Sequence, residues 1–136
     1  MELVDLIKEA DIDALTYCVL VAGLTITMKD KDIDRNKMDL IYNIGGGDLS
    51  RDERLIKYIA RTDIKHIAGD FAEILNANGA KCVLANMMDF AMADGDVNEQ
   101  EGQMLETFAH KMEIDPEELT PMIQTIMGKN FYKIKV

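Results

Sequence analysis

The chain has 136 residues, 48% of them hydrophobic, with 15 basic and 25 acidic side chains and a net charge of −10. That length fits one compact domain whose core needs no disulfide or metal staple, and the acidity excludes a nucleic-acid binder, which needs a basic face for phosphate. Trp is absent and Pro is confined to Pro116 and Pro121, so helix breakers are few and an all-α chain is expected.

Glu2 to Ala10 reads as a short amphipathic helix. It has no basic segment leading into an apolar stretch, so no signal peptide is expected. The uncharged run Ala14 to Met28 contains 15 residues, shorter than the roughly 20 apolar residues of a membrane span. It reads as an apolar helix of a cytoplasmic protein without direct membrane insertion. A short acidic turn follows, Asp30-Lys31-Asp32-Ile33, and then a helix capped by Asp34. Gly45, Gly46 and Gly47 mark a flexible helix–helix connection. Ser50 is expected to cap a helix through Ala60, with Leu55, Ile56 and Ile59 as its apolar stripe. Thr62 is expected to cap another through Asn76, with Ile64, Ile67, Phe71, Ile74 and Leu75 inward. Gly79 reads as a helix stop. A second apolar helix runs to Met92, followed by Asp94-Gly95-Asp96-Val97 and a helix capped by Asn98. Glu101, three residues after Asn98, completes a capping-box pair. Asp115 caps a last helix with Pro116 at its first position; Leu119, Met122, Ile123 and Ile126 form its inward face.

The two acidic turns belong to a repeat. At a shift of 64 residues, Cys18, Val19 and Leu20 fall on Cys82, Val83 and Leu84, and Met28, Asp30 and Asp32 fall on Met92, Asp94 and Asp96. Ile33 falls on Val97, Asp34 on Asn98, and Leu40 and Ile41 on Met104 and Leu105. Apolar positions, acids and caps keep one register, which predicts an internal duplication. The expected architecture is a compact single-domain bundle of about seven or eight helices over 1–136. Within it, a pseudo-twofold relates helix–acidic turn–helix units at about 12–44 and 76–112.

Charge concentrates in the second half. Residues 1–68 carry 13 acidic and 10 basic side chains, residues 69–136 carry 12 and 5, and the span Asp89 to Glu118 holds ten acids and one Lys. Such a surface attracts cations or a basic partner; the plainer reading is a solvated face that keeps the protein soluble. Asp30, Asp32 and Asp34 alternate, as do Asp94, Asp96 and Asn98, like the opening oxygen ligands of an EF-hand loop. The match then fails, because the sixth position is Arg35 or Glu99 instead of Gly and the twelfth is Ile41 or Leu105 instead of Glu. Two readings stay open. Closely spaced carboxylates repel one another, and a divalent cation would relieve that repulsion. Alternatively the acids serve only turns and caps, with Gly95 supplying a positive φ.

Other motifs read as structure. Asp63, His66, Asp70 and Glu73 form one helical stripe, and His66 and Asp70 stand one turn apart as metal ligands would, but the stripe opposes the apolar one and reads as a solvent face. His110 with Glu106 reads the same way. The triple Gly lacks the strand and the Lys-Ser/Thr step of a phosphate loop. Cys18 and Cys82 lie in apolar runs and read as core residues. Seven of the ten methionines lie from Met87 onward, at spacings that suit core filling better than a partner-binding surface. Ser50 is the only serine, and no nucleophile–base pairing points to catalysis.

The stretch Met92-Ala93-Asp94-Gly95-Asp96-Val97-Asn98-Glu99-Gln100-Glu101 resembles the signature of the TerB-like tellurite-resistance family, and Met28 to Asn36 resembles a degenerate copy of it. The resemblance spans residues 10 to 128. It implies an all-α bundle and a non-enzymatic, stress-related binding or adaptor role with a protein partner in a membrane-associated assembly. The N-terminal domain of a membrane-anchored DnaJ-type co-chaperone has a similar fold. Carried over by residue, the resemblance implies divalent-cation binding (Ca, Mg or Zn) at Asp94, Asp96 and Glu101, and by symmetry at Asp30 and Asp32. The first copy departs from the pattern, with Lys31 in place of Gly and Lys29, Arg35 and Lys37 around the turn. A homodimer is compatible with these features, and the alternative is a structural interaction module that binds no metal.

Overall fold

The computed structural model describes residues 1–29, 52–92, 99–115, 117–119 and 121. Among them are six helices and no strand: α1 Glu2–Ala10, α2 Ala14–Lys29, α3 Glu53–Arg61, α4 Ile64–Ile74, α5 Ala77–Ala91 and α6 Glu99–Lys111. The all-α expectation holds for these residues. The helix predicted after Asp34 lies outside them; of the one predicted after Asp115, residues 117–119 and 121 are described and are helical.

Short polar side chains set most helix starts. Asp13 accepts from the Thr16 amide at 2.9 Å, Asp52 from Arg54 at 3.0 Å, Asp63 from His66 at 2.8 Å and Asn76 from Gly79 at 2.8 Å. Each bond satisfies an amide that the first helical turn leaves without a carbonyl partner. Three expectations are corrected. The helix at 53–61 is capped by Asp52, two residues past Ser50. Thr62 ends that helix, and Asp63 starts the next. Gly79 stops nothing: it sits in the first turn of α5, where a Cβ would come within 3.3 Å of the Asn76 cap oxygen. Asp115 does act as predicted, accepting from the Glu117 amide at 3.0 Å.

α2 is the centre of the packing. It is apolar around its whole circumference, and from Leu20 to Thr27 every residue is buried, the mark of a helix enclosed by others. Its two buried threonine hydroxyls are satisfied locally, Thr25 donating to the Val21 carbonyl at 2.7 Å and Thr27 to Gly23 at 3.0 Å, whereas the buried Tyr17 hydroxyl has no hydrogen-bond partner among the described residues. α2 packs on α5 and α3, α4 on α6, α5 on α6, and α1 on α3. Phe71 of α4 and Phe108 of α6 meet edge to face, with ring centroids 5.3 Å apart. Glu2 pairs with Arg61 and Glu9 with Arg54, which sets α1 antiparallel to α3; such exposed pairs orient more than they stabilise. No single helix among the described residues is long and apolar enough to cross a membrane.

The methionines mostly fill gaps, as expected: Met87, Met88, Met104 and Met112 are buried. The two cysteines differ. Cys18 is fully buried, whereas Cys82, expected in the core, is exposed on α5. The reason is rotational: Val83 and Leu84 take the inward face of α5, and Cys82 is turned out beside them.

Candidate functional site

Four of the five predicted cation ligands, Asp30, Asp32, Asp94 and Asp96, lie outside the described residues. The fifth, Glu101, is 1% exposed in the first turn of α6, where the helix N-terminus favours a carboxylate. The residues bordering the two turns meet directly. The Gln100 side-chain amide, on α6 after the second turn, donates to the Lys29 carbonyl at 2.7 Å. That carbonyl ends α2 immediately before Asp30, and it is one of the last-turn acceptors that a helix cannot satisfy itself. The link ties the start of α6 to the end of α2 across 71 residues of sequence. Among the described residues, no three His, Cys, Asp or Glu side chains gather as a metal ion would require.

A second polar constellation lies between α3 and α4. Tyr58 donates to Asp70 at 2.6 Å, and His66 stands 3.6 Å from the same carboxylate oxygen. Asp70 is only 8% exposed, so its assignment to a solvent stripe is corrected. Positions 67, 70, 71 and 74 form one helical face, and Asp70 sits at its edge between Ile67 and Phe71. That spacing was the available signal; the charge of Asp70 masked it. Burial, and then the hydrogen bond to Asp70, push the Tyr58 phenol well above the ordinary range. The phenol therefore keeps its proton and is the donor to Asp70. His66 itself is exposed, as are His110 and Glu106, in line with the solvent-face reading.

No protein family, curated protein or solved structure matches this chain. The reading of its role therefore stands on its own residues and on the motif resemblance.

Two of the remaining reactive groups are buried. Burial pushes the Cys18 thiol up to about 12, which leaves it almost wholly protonated at neutral pH and unsuited to nucleophilic attack. Tyr17 is raised to about 12, by burial first and the nearby Asp52 charge second. Cys82 is exposed, and its sulfur accepts from the Asn86 side-chain amide at 3.7 Å.

Proposed function

We propose that the chain is a non-enzymatic, TerB-like binding or adaptor module. In this reading the two acidic turns, Asp30 and Asp32 with Asp94, Asp96 and Glu101, act together on a divalent cation or on a basic segment of a protein partner. The Gln100–Lys29 hydrogen bond carries the reading. Asp30 follows Lys29 directly and Asp96 precedes Gln100 by four residues, so chain connectivity limits how far the two acid pairs can separate, to roughly 3.8 Å per intervening residue. Grouped carboxylates raise the local concentration of cations. The 64-residue register of the sequence supports the same reading, because it sets an acidic turn at the same point of both halves.

A second reading has its own support. Asp13, Asp52, Asp63, Asn76 and Asp115 all spend their side chains on helix starts. In a fold that caps helices this way, acids at 30–34 and 94–98 need no ligand. The chain would then be a structural interaction module.

Thermal unfolding with EDTA, Ca²⁺, Mg²⁺, Mn²⁺ and Zn²⁺ separates the readings. A cation at 100 times its Kd adds about 2.7 kcal/mol, which raises Tm by several degrees for a domain of this size. The expected result is a rise with at least one metal that disappears in Asp94→Asn/Asp96→Asn. If no metal acts, oligolysine should bind in a salt-sensitive way and lose affinity in the same variant. A chain indifferent to both is the structural module.

A further inference from the structure

Between the first turn of α4 and the outer stripe of α6 is an open cleft of about 400 Å³, lined by Lys65, Gln103, Glu106, Thr107, His110 and Lys111. Small-molecule sites commonly measure about 300–1,000 Å³. The Phe71–Phe108 contact joins the two helices that line it, which holds its walls in fixed register.

The lining inverts the charge of the protein. The chain carries −10, yet two ammonium groups and an imidazole face a single carboxylate here. Arg54 pairs with Glu9, Arg61 with Glu2, and Lys81 with Glu118 at 2.9 Å, which leaves those cations engaged. Among the described residues, neither Lys65 nor Lys111 has an ion-pair partner. Two ammonium groups without ion-pair partners on one cleft favour an oxyanion as ligand.

Other groups of the lining accept. The Thr107 hydroxyl gives its proton to the Gln103 carbonyl at 2.9 Å, so toward a ligand it offers lone pairs, and an ionised Glu106 is acceptor-only. Glu106 and Lys111 are five residues apart on one helix, about 7.5 Å along its axis. That separation suits a ligand several atoms long, with an anionic head at Lys65 and Lys111 and donors at Glu106 and Thr107. We infer that this cleft binds a small hydroxylated molecule with a phosphate or carboxylate head. The site is distinct from the acidic turns and independent of their role.

Amide chemical-shift titration of the full chain at low ionic strength tests it. The probes are glycerol 3-phosphate, glycerate, inorganic phosphate and glycerol. Glycerol 3-phosphate or glycerate should give saturable shifts at Lys65 and along 103–111, and whichever binds better identifies the head group. The better of the two should bind about tenfold more tightly than inorganic phosphate, and glycerol should not saturate. Lys65→Gln/Lys111→Gln, both changes at exposed positions, should weaken binding about tenfold while leaving the remaining spectrum folded. Glu106→Ala should remove the preference over inorganic phosphate. The inference is overturned if neither probe saturates. It is equally overturned if the double variant binds as the natural chain does, or if Lys8→Gln, far from the cleft, weakens binding as much.

Discussion

Helices α2 and α5 carry the same Cys-Val-Leu triplet, and their surroundings treat it differently. In α2, Cys18 is fully buried and Val19 only partly so; in α5, Val83 is fully buried and Cys82 is exposed. Leu20 and Leu84 are inside in both. α2 is enclosed from Leu20 to Thr27, so the threonine hydroxyls there bond to its own backbone. α5 keeps one side toward water, where Lys81 reaches Glu118 and Asn86 turns back to the Cys82 carbonyl. Identical local sequence thus fixes helix formation but not which way the helix is turned.

The strongest way to break this comparison is to place one charge at both aligned sites. Cys18→Asp buries a carboxylate with no partner and should cost about 3–5 kcal/mol, whereas Cys82→Asp should change stability by no more than about 0.5 kcal/mol. Urea unfolding followed by circular dichroism reads both; equal losses would mean that α5 is as enclosed as α2. A thiol reagent added to the folded natural chain should modify Cys82 at once and Cys18 only as the chain unfolds.

A smaller effect comes from the buried polar groups around this core. Tyr58→Phe removes the donor to Asp70 and leaves a buried carboxylate short of a partner, at a cost of about 1–3 kcal/mol. The same phenol contributes to alkaline sensitivity. Cys18 rises from 9.0 to about 12 and Tyr17 from 10.0 to about 12 on folding, and Tyr58 rises as well. Each holds its proton more tightly when folded. Their stabilisation is therefore complete below pH 9 and is lost as pH rises toward 12. Stability measured from pH 8 to 11 should fall, with Tyr58→Phe and Cys18→Ala each flattening the decline.

The smallest effect is at the start of α2. The Thr16 hydroxyl, 2.6 Å from Asp13, and then the Thr16 amide hold the Asp13 carboxyl below its usual value of 3.8. A carboxyl lowered on folding contributes stability above its unfolded value and loses it as pH falls through the folded one. Thr16→Val should return the Asp13 titration, followed by NMR, toward 3.8, with little change in stability at neutral pH. An unmoved titration would assign the shift to the backbone cap alone.

Much of the fold was legible in the chain. Apolar spacing placed Leu55, Ile59, Ile67 and Phe71 inside, and they are. The run through Met28 and the first helix lie where expected, because helices of uniform or strongly amphipathic pattern declare themselves locally. Helix boundaries were less legible. Asp52 and Ser50, or Asp63 and Thr62, are chemically equivalent caps, and only the packed register of Leu55 or Ile67 selects between them. The candidate site was legible as a motif, in Asp30, Asp32, Asp94, Asp96 and Glu101. The burial of Glu101 and the bond from Gln100 to Lys29 were not.

The sequence by itself therefore determined an acidic, helical chain with short polar residues at helix starts, since those properties depend on residue chemistry and spacing of four or fewer. Tertiary structure alone decided that Asp70 turns inward to Tyr58, that Cys82 turns outward, and that α6 begins where α2 ends. Each of these depends on contacts between residues distant in sequence, or on which side of a helix a neighbour covers, and no local pattern records either.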